Sequence, residues 1–356
     1  MYYAGIDYHK RYSFVSIQDE KGTIVLERQV LHNNPLVFEE IFRQIGGEAT
    51  VVYECGLNWT WLYEVLEKIE TVKRIVLANA YKVRLIAEAQ IKTDKLDARK
   101  LAMLLRLGVI PACHIPTRDT RKRKEVLRQR AYWVRRRTGL RNRVHRLIDR
   151  QHGLAMPQVS DLFGKKGKEA LRKAILPDPD AMLLTQNLDV LDQLDAVIRA
   201  DEQRIQSESK PDEAMKILLS VPGLGLITAS IVSTETENIE RFLRRERYTA
   251  YAGLAPTTHS SGGKTYNGRM MQGCNKWLKW AFIEAAWVSV GCSPYFGGLY
   301  RHHRSRGKKA SVAITIVARR MCHIVYQLLT EKRVYEERIF PRPLSIVSDG
   351  CLQPQA

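Results

Sequence analysis

Residues 3–28 read YAGIDYHKRYSFVSIQDEKGTIVLER, and the period-two alternation of this stretch decides the fold class. It predicts three strands, at residues 3–7, 12–18 and 23–28, with a turn at Glu20-Lys21-Gly22 between the second and third. The first strand ends on an acid, Asp7. Pro35 opens an expected helix through Phe38, Ile41, Phe42 and Ile45 that Gly46-Gly47 stops, and a short β-branched strand follows at residues 50–53. Residues 59–69 read as helix, 74–77 as strand and 80–89 as helix. Three antiparallel strands followed by alternating helix and strand predict a mixed α/β sheet with helices packed on it.

The chain carries 57 Lys plus Arg against 38 Asp plus Glu, a formal charge of +19 over 356 residues. Such an excess favours phosphate-rich partners, because neutralising phosphates releases condensed counterions, but it does not separate DNA from RNA. With 45% hydrophobic residues the chain can bury more than one core. The six cysteines are scattered without a C-x-x-C pair, which argues against a zinc module and against a disulfide framework. No signal core precedes Asp7, and no uninterrupted apolar run approaches the roughly 18 residues of a membrane span, so a soluble cytoplasmic protein is expected.

Between Arg118 and Arg150 stand 14 basic and three acidic residues, with Leu127, Ala131, Val134, Leu140, Val144 and Leu147 mostly at helical spacing. A long helix with a narrow apolar seam is expected. Leu184, Leu188, Leu191, Leu194, Ile198 and Ile205 form a second seam that can pair with the first as an antiparallel hairpin. So many cations exceed what solubility requires, and Arg135, Arg136, Arg137, Arg141 and Arg143 are candidate nucleic-acid contacts. From residue 215 onward the chain is apolar and helical. The organisation expected is a sheet domain over 1–112, a basic helical segment over 113–210, a mostly helical domain over 211–335 and a tail over 336–356.

Four acids sit where a metal site would need them: Asp7, Glu54 at the end of the strand after Val51-Val52-Tyr53, and Asp94 and Asp97 in Lys92-Thr93-Asp94-Lys95-Leu96-Asp97-Ala98-Arg99. Strand ends in such a sheet face a common crevice, and the i, i+3 pair shares one helix face. Gathered carboxylates repel unless a divalent cation neutralises them, and oxygen donors select Mg²⁺ or Mn²⁺. Two such ions about 4 Å apart can stabilise both oxygens of a displacement at phosphorus. The plainer alternative has Asp94 capping a helix and Asp97 pairing with a neighbouring cation.

The Gly5-Ile6-Asp7-Tyr8-His9-Lys10 stretch, Glu54, and the Lys-Thr-Asp-x-x-Asp-Ala run after Asn79-Ala80-Tyr81-Lys82 resemble the DEDD-type transposases of the IS110 group of bacterial insertion sequences. Their amino-terminal domain is similar to the RuvC Holliday-junction resolvase, a ribonuclease-H-like fold. The resemblance spans roughly residues 3–107 and 215–330.

Toward the carboxyl end, Pro222-Gly223-Leu224-Gly225 reads as a tight turn into a helix, either a phosphate-approaching helix-hairpin-helix element or a plain turn. The run His259-Ser260-Ser261-Gly262-Gly263-Lys264, followed by Gly268-Arg269, reads either as a surface loop or as an open loop whose hydroxyl attacks a phosphodiester while Lys264 and Arg269 hold its oxygens. The resemblance implies the second, with Ser261 as nucleophile because it directly precedes Gly262, and Ser260 as its neighbour. It also implies a recombinase that excises and inserts its own element, guided by a non-coding RNA that bridges donor and target DNA. Several cuts per reaction imply a homodimer that assembles to a tetramer. The rivals are a resolvase-type endonuclease in which water attacks, and a nucleic-acid chaperone without chemistry.

Overall fold

The computed structural model describes residues 1–340 except 33, 57, 87–92, 152–158, 209–211 and 262–263. The chain divides into two compact units, Met1–Pro116 and Thr117–Ala356.

The first unit is built on β1 (Tyr2–Tyr8), β2 (Tyr12–Gln18), β3 (Ile24–Leu31), α1 (Leu36–Gln44), β4 (Ala49–Glu54), α2 (Trp59–Leu66), β5 (Val72–Ala78), α3 (Ala80–Ile86) and α4 (Asp94–Arg106). Its five strands lie in the order β3-β2-β1-β4-β5. The first three are antiparallel, and β4 and β5 join β1 in parallel. The β2–β3 turn is held by Asp19, whose carboxylate accepts from the backbone N–H of Lys21 at 2.9 Å and of Thr23 at 2.8 Å, while Gly22 takes a φ of +88°. Four strands, β1, β3, β4 and β5, run further than the sequence pattern predicts, β3 reaching Leu31 because Val30 is buried.

Alternation along β1 sorts this unit into layers. Ala4 and Ile6 face one way, into a core with Phe38 and Phe42 of α1 and Leu62 and Leu66 of α2. Gly5 faces the other way, where α4 lies so close that a Cβ on Gly5 would stand 2.1 Å from the carbonyl oxygen of Ala98 and 2.5 Å from the N of Ala102. Leu101, Leu104 and Leu105 of α4 complete that face with Val52 and Val76. Asp7 is two residues past Gly5, so it shares the α4 side of the sheet and lies toward the start of that helix.

The second unit contains α5 (Arg118–Asp149), α6 (Lys165–Arg172), α7 (Asp180–Glu208), α8 (Glu213–Ser220), α9 (Leu226–Thr236), α10 (Arg245–Tyr251), β6 (Pro256–Ser261), β7 (Lys264–Met270), α11 (Lys276–Cys292), α12 (Pro294–Ser305) and α13 (Ala310–Glu331). The long helices α5 and α7 pack antiparallel: Arg130 pairs with Glu202, Arg137 with Asp195 and Arg150 with Asp180, the numbers rising on one helix as they fall on the other. Their buried seam includes Val144 and Ile148 against Leu184, Leu188 and Leu191. Leu127 of α5 and Ile205 of α7 belong instead to the large core formed by α8 to α13.

Helix α13 is long and apolar enough by composition to cross a membrane, but Ala313, Val317, Ala318, Met321, Cys322 and Val325 are buried in that core. The cysteines among the described residues are free thiols.

Candidate functional site

Asp7 near the end of β1 and Asp94 at the first position of α4 are brought together by the Gly5 contact. Thr93 starts that helix, its side chain accepting from the N–H of Leu96 at 3.2 Å. With His9 the two acids form a group whose ligand atoms all lie within 4.8 Å of one another. His9 Nε2 is 3.2 Å from Asp7 Oδ2 and 3.4 Å from Asp94 Oδ1. The other oxygen of Asp94 accepts from the Tyr12 hydroxyl at 3.0 Å.

Burial raises the pKa of the Asp7 carboxyl above its ordinary value, and the negative charges of Asp94 and Asp97 add to the rise while His9 opposes it. Burial is the main cause and the neighbouring carboxylates a smaller one, at the positive end of a helix dipole that favours anions. The two carboxylates and the imidazole, with their ligand atoms so close together, fit a divalent cation. The set is not oxygen-only, however, because an imidazole nitrogen stands among the carboxylates.

Asp97 and Glu54 lie outside that tight group. Asp97 acts on Asp7 through its charge and pairs with Lys100 at 3.3 Å. Glu54 is the exposed last residue of β4, one step beyond the Ile6–Tyr53 register pair. It lies two residues past Val52, which packs on the α4 side, so alternation puts Glu54 on the same side as Asp7. His9 was missed as a donor in the sequence, although Asp-x-His across a strand end places both side chains on one face.

Ser261 ends β6 and Lys264 begins β7, and the two strands pair antiparallel with Ser261 opposite Lys264 and Ser260 opposite Thr265. Two glycines between alternating residues are a hairpin signal that the hydroxyl-rich composition hid. Gly262, Gly263 and the side chains of Ser261 and Lys264 lie outside the described residues, whereas Ser260 and Arg269 are exposed. The hairpin leads into α11 through Asn275, which caps that helix by accepting from the N–H of Trp277 and of Leu278. Asn275 Nδ2 also donates to Glu235 at 2.9 Å, and Glu235 is buried between Lys124 at 3.0 Å and Arg128 at 3.2 Å.

Gly223, in the turn between α8 and α9, answers to packing: a Cβ there would sit 2.2 Å from the carbonyl oxygen of Ala285 on α11. Its φ of +91° needs glycine as well, so the plain-turn reading explains it. On α5, Arg135, Arg136 and Arg143 are exposed, with the first two lying over the rings of Trp277 and Tyr132. Arg137 is committed to Asp195, and Arg141 covers Phe163.

Two family models match the chain. Residues 4–152 match one described as a transposase, of the DEDD type of the IS110 group. Residues 215–301 match one described as "Transposase IS116/IS110/IS902 family". The chain is 26% identical to a "Probable family 20 transposase" of Pseudomonas aeruginosa over 93% of this chain and 97% of that protein. It is 24% identical to the "Transposase for insertion sequence element IS1328" of Yersinia enterocolitica over 69% of this chain and 75% of that protein. An uncharacterized protein of insertion element IS110 from Streptomyces coelicolor is 30% identical over 40% of this chain and 35% of its own length.

Proposed function

The chain belongs to the IS110/IS116 family of transposases, and from that premise we propose that it excises and inserts a bacterial insertion sequence by Mg²⁺- or Mn²⁺-assisted cleavage and rejoining of DNA phosphodiesters. The observation that carries the proposal is the meeting of Asp7, His9 and Asp94 where the end of β1 abuts the start of α4. The strand order and the three-antiparallel, two-parallel pattern support a ribonuclease-H-like, RuvC-like domain for this unit. Asp7 and Asp94 would hold the cation, with Glu54 and Asp97 adding negative charge from the same side of the sheet. When bound, the cation would stabilise negative charge on the phosphate oxygens as the bond to phosphorus changes hands.

Ser261 is the proposed nucleophile. Its oxygen bonds to phosphorus as the deoxyribose oxygen leaves and takes up a proton. The phosphoserine link keeps the phosphodiester energy, so a hydroxyl of another strand can reverse the step without ATP. Lys264 and Arg269 would hold the non-bridging oxygens, and the exposed Arg135, Arg136 and Arg143 would follow nucleic-acid backbone. Backbone contacts suffice when a bridging RNA supplies sequence by base pairing with donor and target DNA. A homodimer assembling to a tetramer would supply one serine for each cut strand, in the cytoplasm where the chromosome lies.

The test is a denaturing gel of the full protein incubated with an element-end DNA, its flanking RNA and Mg²⁺. A protein–DNA adduct that disappears in Ser261→Ala and survives in Ser260→Ala is the expected result. Free DNA ends without an adduct would replace serine attack by water attack.

A further inference from the structure

Building on the reading of Asp7 and Asp94 as cation ligands, we propose that Tyr12 is the positioning residue of that site, its hydroxyl fixing the Asp94 carboxylate so that the free oxygen turns toward Asp7. Tyr12 opens β2 directly across the turn from His9, whose N–H donates to the Tyr12 carbonyl oxygen at 3.0 Å. Its hydroxyl donates to Asp94 Oδ2 at 3.0 Å, and its ring lies against the His9 ring with centroids 4.7 Å apart. One side chain therefore touches two of the three members of the group.

Asp94 needs such a partner. It stands at the first position of α4 with 44% of its side chain exposed, and a carboxylate's terminal torsion is broad and soft. Among the described residues, Tyr12 and His9 are the side chains that hydrogen-bond or pair with it. Occupation of Oδ2 by the phenol leaves Oδ1 as the oxygen beside His9, which bridges to Asp7. A carboxylate fixed in this way loses less rotational freedom when a cation arrives. Partners that orient a metal ligand without touching the metal commonly carry about 10- to 100-fold in affinity.

A merely structural Tyr12 would pin α4 to the β1–β2 turn and nothing more. The experiment separates the two by titrating the full chain with Mn²⁺ alone, free Mn²⁺ being followed by its paramagnetic resonance, beside thermal unfolding in chelator. Tyr12→Phe keeps the ring and removes the hydroxyl. The expected result is Mn²⁺ binding weakened about 10- to 100-fold, an unfolding temperature close to wild type in chelator, and DNA cleavage restored by saturating Mn²⁺. Binding within twofold of wild type, or a loss of affinity matched by a large fall in unfolding temperature, overturns the proposal. If wild type itself shows no saturable binding that Asp7→Asn removes, the metal reading fails first and takes this inference with it.

Discussion

Asp7 shows at the scale of one residue how function opposes stability. Burial and the charges of Asp94 and Asp97 hold its carboxyl above the usual range, which is unfavourable for the folded metal-free chain. Replacing it by Asn keeps the shape and removes the charge. Asp7→Asn should therefore unfold at a slightly higher temperature than wild type in chelator, while losing roughly a hundredfold or more in DNA cleavage with Mg²⁺. Calorimetry in chelator and a gel assay of cleavage check both halves, and a variant that is less stable yet active would refute them. Much of this site is legible in sequence: Asp7 ends an alternating strand, and Thr93 marks a helix start with Asp94 and Asp97 in its first turn. What sequence leaves open is which acids meet. The Asp7–Asp94 approach depends on how closely a helix lies on a strand far from it in the chain, and His9 enters the group only through that approach.

Two contacts at the scale of elements set that approach. Gly5 lets α4 rest directly on β1, since a Cβ would collide with the backbone at Ala98 and Ala102. Gly5→Ala should push the helix outward, destabilise the unit by about 1–3 kcal/mol and weaken Mn²⁺ binding together with it, as read by urea unfolding and metal titration. Glu27 on β3 ties down the same helix. Its carboxylate accepts from Arg99 Nη2 at 2.7 Å and pairs with Lys95 at 3.0 Å. The Arg99 hydrogen bonds, with help from Lys95, draw its pKa down to about 2. A depressed acid stabilises the fold above its unfolded pKa of 4.5, and that stability is lost as pH falls through about 2. Glu27→Gln should therefore be about 1–2 kcal/mol less stable at neutral pH, with the gap to wild type closing between those two values. A gap that stays constant with pH would contradict the ion pair. The strand alternation of β1 to β3 and the seams of α5 and α7 are readable because local period decides them. The β6–β7 pairing is not readable in this way, because its Ser, Thr and Gly residues also suit a loop and the pairing depends on cross-strand register.

At the scale of the molecule, a charge of +19 overstates the surface available to nucleic acid. Part of the basic run on α5 is spent internally, Lys124 and Arg128 on the buried Glu235 and Arg130 and Arg137 on α7. Composition cannot separate these from the exposed Arg135, Arg136 and Arg143. Replacing any of those three by Ala should lower the slope of log binding constant against log salt by about 0.9 on duplex DNA. Arg137→Ala should leave that slope unchanged and lower stability instead, so equal slopes for all four variants would contradict the division. One divalent cation is proposed between the end of β1 and the start of α4. Anomalous scattering from a crystal soaked in Mn²⁺ decides it: a peak beside the carboxylates of Asp7 and Asp94 is the expected result, and a Mn²⁺ peak elsewhere with none at these oxygens would overturn the proposal.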